Sequence, residues 1–166
     1  MSLIERLDHE LIRADVVAGL FADDAVVRVD RYEVRARVGA GGGGAVYRAW
    51  DPVLERDVAL KVLHEGVASS RARAEAEARA RFSHPNIVRI FDVLSEDDEL
   101  VLVMELVHGV AVPTWLLEAK PTRPEVLASF IAIGHGLGAV HDVGVVHRDF
   151  KPDNVLVGAD GRVQLC

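Results

Sequence analysis

The chain has 166 residues, 50% of them hydrophobic and 27% charged, with a formal net charge of −7 and a single cysteine, Cys166. That is enough apolar material for one packed domain, while the acidic balance argues against nucleic acid as a partner, because phosphate backbones demand a basic face. A lone cysteine excludes an internal disulfide and fits a reducing compartment.

In chain order, residues 1–12 mix Glu5, Arg6, Asp8, His9 and Glu10 with apolar positions, so they lack the continuous apolar core of a signal peptide. The chain is expected to be cytoplasmic. Leu3, Ile4, Leu7 and Leu11 recur near helical spacing, and residues 1–31 read as an N-terminal extension ahead of a β-rich stretch. From Tyr32 the pattern predicts a three-strand meander: Val34 and Val38 before the glycines, Val46 and Tyr47 to Trp50, a turn at Asp51-Pro52, then Val58 to Leu63. Residues 71–82, rich in Ala and Arg, suit a helix that His84-Pro85-Asn86 breaks. Ile87 to Leu94 and Leu100 to Met104 read as strands, joined by Glu96-Asp97-Asp98-Glu99 as a solvated acidic turn. The apolar stretch Leu100 to Leu117 is interrupted by Glu105, His108 and Pro113, which argues against a membrane span.

The second half is predicted to be helical. Thr122-x-x-Glu125 is a capping box with Pro124 in the first turn, and Leu127, Phe130, Ile131, Leu137 and Val140 form a broad apolar stripe. Val155 to Val157 and Val163 to Leu165 then make a hairpin around a two-residue turn at Asp160-Gly161. No internal repeat is evident.

Three local patterns carry chemistry. Gly39-Ala40-Gly41-Gly42-Gly43-Gly44-Ala45-Val46 matches G-x-G-x-x-G-x-V, though by itself a flexible linker or a tight hairpin would use the same letters. A dinucleotide fingerprint needs these glycines to open a helix, and a Walker loop needs Lys-Ser or Lys-Thr after Gly44; neither holds. A hairpin remains, whose tip brings backbone N–H groups close to phosphates. Lys61, in Val58-Ala59-Leu60-Lys61, would by itself be an ordinary surface lysine, but beside the glycine hairpin it reads as a cation for the α- and β-phosphates. His147-Arg148-Asp149-Phe150-Lys151-Pro152-Asp153-Asn154 is the most specific of the three. Asp149 would orient a substrate hydroxyl, Lys151 would neutralise the transferring phosphoryl group, and Asn154 would offer its amide oxygen to Mg²⁺. His135, His141 and His147 lie six residues apart and share no helix face, so they make no metal site.

With these motifs the chain resembles the front part of a eukaryotic-like bacterial serine/threonine protein kinase from Tyr32 to Cys166. The resemblance implies an α+β fold: a complete N-terminal antiparallel β-sheet lobe with one helix, followed by the first part of a helical C-terminal lobe. It implies ATP and Mg²⁺ as cofactors and a protein Ser/Thr hydroxyl as substrate; the interrupted apolar stretch already argues for no membrane segment in this chain. By the same resemblance Val38, Gly39, Gly41, Gly42, Gly44, Val46, Ala59, Lys61, Glu105, Val107 and Leu156 surround the nucleotide. Met104 takes the gatekeeper position, Glu75 (or, failing it, Glu77) holds Lys61, and Arg148 receives a phosphorylated activation loop.

Three departures accompany it. Gly43 replaces a usually bulkier residue, giving a looser hairpin. Arg79 falls where an aliphatic residue is expected, and the chain ends at Cys166, where an Asp-Phe-Gly metal-binding triplet should begin. The expectation is therefore an incomplete kinase domain with little or no activity by itself. The alternatives are a non-catalytic nucleotide-binding or kinase-interacting pseudokinase module and, less favoured, a small-molecule phosphotransferase of related fold.

Overall fold

Alternating apolar residues and short turns build a six-stranded antiparallel sheet from β1 (Val27–Val29), β2 (Tyr32–Gly41), β3 (Gly44–Asp51), β4 (Arg56–Val62), β5 (Ile90–Glu96) and β6 (Glu99–Glu105). The strand order is β1-β2-β3-β4-β6-β5. This computed structural model describes residues 1–21, 25–41, 43–64, 70–144, 147 and 149–166. The chain divides into two compact units, Met1–Ala80 with Ile90–Leu106 and Arg81–Arg89 with Val107–Cys166.

In the first unit, cross-strand pairing sorts the side chains into two faces. Tyr47 opposes Leu60, which opposes Val103, and Val62 opposes Val101. These residues are fully buried, together with Leu3 and Leu7 of helix α1 (Leu3–Phe21), and Ile4, Leu11 and Ala14 pack against the same cluster. The opposite face carries Val46, Lys61, Ala59, Leu102 and Met104. There Leu102 joins a smaller cluster of Ala76, Val93 and Leu100, contributed partly by helix α2 (Ser70–Ala80).

The expected meander is present as β2 to β4, but it gains β1 from inside the segment read as an extension. Val27-Arg28-Val29 is too short to announce itself; it becomes a strand because Asp30, at φ 51°, turns the chain back onto Tyr32. The expected strand from Ile87 starts instead at Ile90. Ile87 forms a single bridge to Leu165, and the Val88 N–H donates to the Leu165 carbonyl at 2.8 Å, both within the second unit. The acidic turn is less solvated than expected. Asp97 and Asp98 take positive φ, but Glu99 is only 4% exposed and accepts the Leu3 N–H, while Arg6 pairs with Glu96 and Asp97.

The turn after β3 is built around Asp51, whose side chain is fully buried. Its carboxylate accepts the N–H groups of Val53 and Leu54 and the Arg31 guanidinium at 3.3 Å. Burial would raise this carboxyl; the Arg31 hydrogen bond and the two backbone N–H groups outweigh it and hold Asp51 below the usual carboxylate range.

The second unit contains β7 (Gly109–Ala111), α3 (Val112–Glu118), α4 (Arg123–Asp142), β8 (Val155–Gly158) and β9 (Val163–Leu165). The three strands form one sheet in the order β7-β8-β9. The capping box forms as read, with the Glu125 carboxylate accepting the Thr122 N–H at 2.7 Å. Ile133 and Leu137 of α4 pack with Val112, Val155, Val157, Val163 and Leu165, whereas Leu127, Phe130 and Ile131 stay exposed. The β8–β9 turn has three residues rather than two: Gly158 and Arg162 close it, and Gly161 at φ +80° supplies the left-handed position such a loop requires. The sequence reading passed over β7 and α3, which interrupt its long apolar stretch.

Candidate active site

The glycine cluster forms a hairpin tip in which Gly41 pairs with Gly44; Gly42, also expected to touch the nucleotide, lies outside the described residues. Gly44 has no alternative. At φ +131° an added Cβ would sit 1.9 Å from the Val62 carbonyl oxygen, so only a bare backbone lets β3 run this close to β4. Gly41 faces open space, while a Cβ on Gly43 would come 3.5 Å from the Lys61 Nζ. The Lys61 ammonium therefore reaches up to the hairpin tip.

Val46 stands directly opposite Lys61, and Ala59 opposite Met104, so these expected pocket residues share one sheet face. Gly39 also pairs with Val46. Val38 falls between the Arg37–Tyr47 and Gly39–Val46 pairs, in a bulge, and is 54% exposed. Glu105 ends β6 opposite Val58, within the first unit, and Val107 is a half-buried residue at the start of the second unit's longer segment.

The carboxylates expected to hold Lys61 are engaged elsewhere. Glu75 pairs with Arg79 at 3.4 Å and Glu77 with Arg73 at 2.8 Å, both one helical turn apart on α2. Among the described residues Lys61 forms no ion pair with either. The intrahelical arginines are the physical reason, since each lies within reach of its glutamate whatever the rest of the sheet does.

In the second unit the catalytic-loop residues converge. The Asn154 Nδ2 donates to the Asp149 carbonyl at 2.7 Å and to its Oδ2 at 2.9 Å, and the Lys151 Nζ lies 3.3 Å from the same Oδ2. A turn of 3₁₀ helix at Pro152–Asn154 sets this spacing, closed by the Asn154 N–H on the Lys151 carbonyl. The loop is tied at two points to Cys166, the residue after β9: the His147 ring lies 2.9 Å from the Cys166 carbonyl, and the Cys166 N–H donates to the Asn154 carbonyl. Asp149 is exposed, with one carboxylate oxygen drawing in both a cation and an amide. Leu156, on β8, lies half-buried opposite Ala111 and Gln164. Arg148 lies outside the described residues.

For a metal, the donor set is partial. The Asn154 amide nitrogen is spent on Asp149, leaving its Oδ1 as a hard oxygen donor, and no cluster of three or more His, Cys, Asp or Glu is arranged for a metal among the described residues. No helix among the described residues is long and apolar enough to cross a membrane. Sequence reasoning gave no role to Asp8, Arg37 or Tyr47, which meet at the base of the glycine hairpin. Only a long-range contact brings them together, so no local pattern could have shown it.

Residues 32–166 match the protein kinase domain family. Serine/threonine-protein kinase PknL of Mycobacterium tuberculosis is 40% identical over 142 residues, covering 82% of this chain and 36% of that protein. PrkC of Bacillus subtilis, also a serine/threonine-protein kinase, is 36% identical over 141 residues, covering 81% of this chain and 22% of that protein. The crystal structure of the M. tuberculosis PknI kinase domain superposes with a TM-score of 0.74 at 31% identity, covering 84% of this chain and 58% of that one. The chain thus spans about a third of its curated relative PknL, and both units follow the α+β protein-kinase fold. With hairpin, lysine and catalytic loop all inside the matched segment, the chain belongs to the protein kinase domain family, among relatives that are serine/threonine kinases.

Proposed function

We propose that this chain carries the nucleotide-binding and catalytic-loop portions of a serine/threonine protein kinase that transfers the γ-phosphoryl group of ATP to a protein hydroxyl. The observation that carries the reading is the convergence of Lys151 and Asn154 on the Asp149 carboxylate. Asp149 accepts the hydrogen bond of the incoming Ser or Thr hydroxyl and takes its proton as the oxygen–phosphorus bond forms. The bond from the γ-phosphorus to the bridging oxygen breaks, and ADP leaves. Lys151 offsets negative charge on the transferring group. In the first unit Lys61 takes the α- and β-phosphates, the backbone of Gly39, Gly41 and Gly44 approaches them from the hairpin, and Val46 and Ala59 cover the base.

Asn154 Oδ1 would be this chain's ligand to Mg²⁺, which when bound would supply positive charge against the phosphates. With one such donor among the described site residues, the 166-residue chain is expected to bind Mg-ATP with little or no turnover by itself. The Tyr32 to Cys166 segment is read as the kinase domain, residues 1–31 as an addition to it, and the compartment as the cytoplasm.

A second reading, a nucleotide-binding module without phosphoryl transfer, is favoured by the Glu75–Arg79 pair. It occupies the carboxylate that the first reading assigns to Lys61. Titration with a fluorescent ATP analogue and Mg²⁺, followed by a transfer assay on a generic Ser/Thr substrate, separates the two. Lys61→Met is expected to weaken binding at least tenfold; unchanged binding would remove both readings. If Arg79→Leu raises transfer while Asp149→Asn abolishes it, the kinase reading holds. Binding that is independent of Mg²⁺ and unchanged by Asn154→Ala, with no transfer in any variant, favours the module, whereas the kinase reading expects Mg²⁺-dependent binding even where turnover is absent.

A further inference from the structure

We infer that α1 is a strut for the glycine hairpin, with Asp8 as the residue that positions the hairpin's two strands. Asp8 follows Leu7, which is fully buried against the sheet, so its carboxylate is carried to the sheet surface at a fixed height. One oxygen accepts the Tyr47 hydroxyl at 2.8 Å, and the other pairs with the Arg37 guanidinium. Arg37 on β2 and Tyr47 on β3 are direct cross-strand partners. They are the last such pair before the Val38 bulge and the glycines. A single carboxylate from outside the sheet therefore staples both legs of the hairpin at its base.

The staple matters because of what lies beyond it. From Gly39 to Ala45 every residue is Gly or Ala, so among the described residues the tip has only the Ala40–Ala45 methyl pair across its strands to set its twist or limit its motion. Besides the His64 ring, 3.2 Å from the Gly41 carbonyl, and the close passage of Gly44 over Val62, the support comes from the base. The Tyr47 hydroxyl also lies 3.3 Å from the Ile4 carbonyl oxygen, a second link from α1 to the same strand. Burial, and then the hydrogen bond to Asp8, push the Tyr47 hydroxyl above its ordinary range, so it remains a donor at neutral pH.

The strut is fixed at its own N-terminal end. Arg6 pairs with Glu96 at 3.3 Å and Asp97 at 3.0 Å, and the Leu3 N–H donates to the buried Glu99 carboxylate. The helix thus ties the β5–β6 turn to the base of the hairpin across the sheet face opposite Lys61. It lies outside the segment that matches the kinase family, which begins at Tyr32. The effect on nucleotide affinity rests on the kinase reading above; the effect on the hairpin does not.

Amide hydrogen exchange by mass spectrometry on the full chain tests it, followed by titration with a fluorescent ATP analogue and Mg²⁺. Asp8→Asn and, as a milder change, Tyr47→Phe are each expected to speed exchange at residues 39–46 about fivefold, with residues 58–62 and 101–103 at wild-type rates. Both should weaken the analogue about threefold, and Asp8→Glu should recover much of the loss. Unchanged hairpin exchange in both variants overturns the inference. So does equal acceleration in β4 and β6, which would reduce α1 to a source of general stability. A wild-type chain that binds no nucleotide, combined with a loosened hairpin in the variants, leaves the strut standing and removes the kinase reading.

Discussion

The first unit packs α1 on one face of its sheet and α2 on part of the other, so Leu3, Leu7, Tyr47, Leu60 and Val103 lose all contact with solvent. In the second unit a three-stranded sheet packs on α3 and on one side of α4, leaving Leu127, Phe130 and Ile131 exposed. The difference sets where each unit can tolerate change. A residue covered on all sides transmits its loss to the fold, whereas an exposed apolar residue on a helix has little burial to lose. The division also separates two kinds of chemical group: Lys61 is carried on a sheet with a complete core behind it, and Asp149 on an exposed loop tied down by hydrogen bonds.

The largest expected effect breaks the comparison open directly. Each unit holds one of the chain's two tryptophans, Trp50 in the first and Trp115 in the second, so a Trp→Phe change at one leaves a reporter for the other. Leu7→Ala is expected to cost about 3 kcal/mol in urea unfolding read through Trp50, from lost burial and the cavity left behind. Phe130→Ala, read through Trp115, is expected to stay within about 0.5 kcal/mol. Similar costs at both sites would show that Phe130 is covered in solution or that α1 is not seated on the sheet.

A smaller effect sharpens the same contrast within the glycine cluster. Gly44→Ala would drive a Cβ into the Val62 carbonyl at positive φ, at a cost of about 2 kcal/mol. Gly41→Ala meets nothing within 4 Å and should cost well under about 1 kcal/mol. Equal costs would mean that β3 does not approach β4 as closely as described.

How much of this was legible beforehand follows from range. The glycine hairpin, Lys61, the Thr122–Glu125 cap and the Asp149, Lys151 and Asn154 loop are each specified by residues a few positions apart, and their spacing reads directly as geometry. The burial of Glu99, the bridge at Ile87 and the seating of α1 depend on partners far away in the chain. No local periodicity encodes those. Glu75 shows the limit from the other side: the family resemblance proposed Lys61 as its partner, whereas the neighbour one turn along the helix, Arg79, pairs with it.

The finest expected effect sets one carboxylate of each unit against the other in acid. Asp51 and Glu125 are both held below the usual carboxylate range, Asp51 against the cost of its burial by Arg31 and backbone N–H groups, Glu125 by the Thr122 N–H and then the Thr122 hydroxyl. A carboxyl whose folded value is depressed adds stability at pH values above its unfolded value, and that stability is lost as pH falls through the folded value. Both contributions should therefore be intact at neutral pH and fade below about pH 4. Their weights should differ, because Asp51 is fully buried between Arg31 and Arg56 whereas Glu125 is solvated. The urea midpoint read through Trp50 should fall between about pH 4 and pH 2, and Asp51→Asn should lower it at pH 7 and flatten that fall. Glu125→Gln should leave the acid dependence read through Trp115 nearly unchanged. If instead the second unit shows the steeper acid loss, the exposed cap outweighs the buried cluster, and solvent coverage is not what separates the two units.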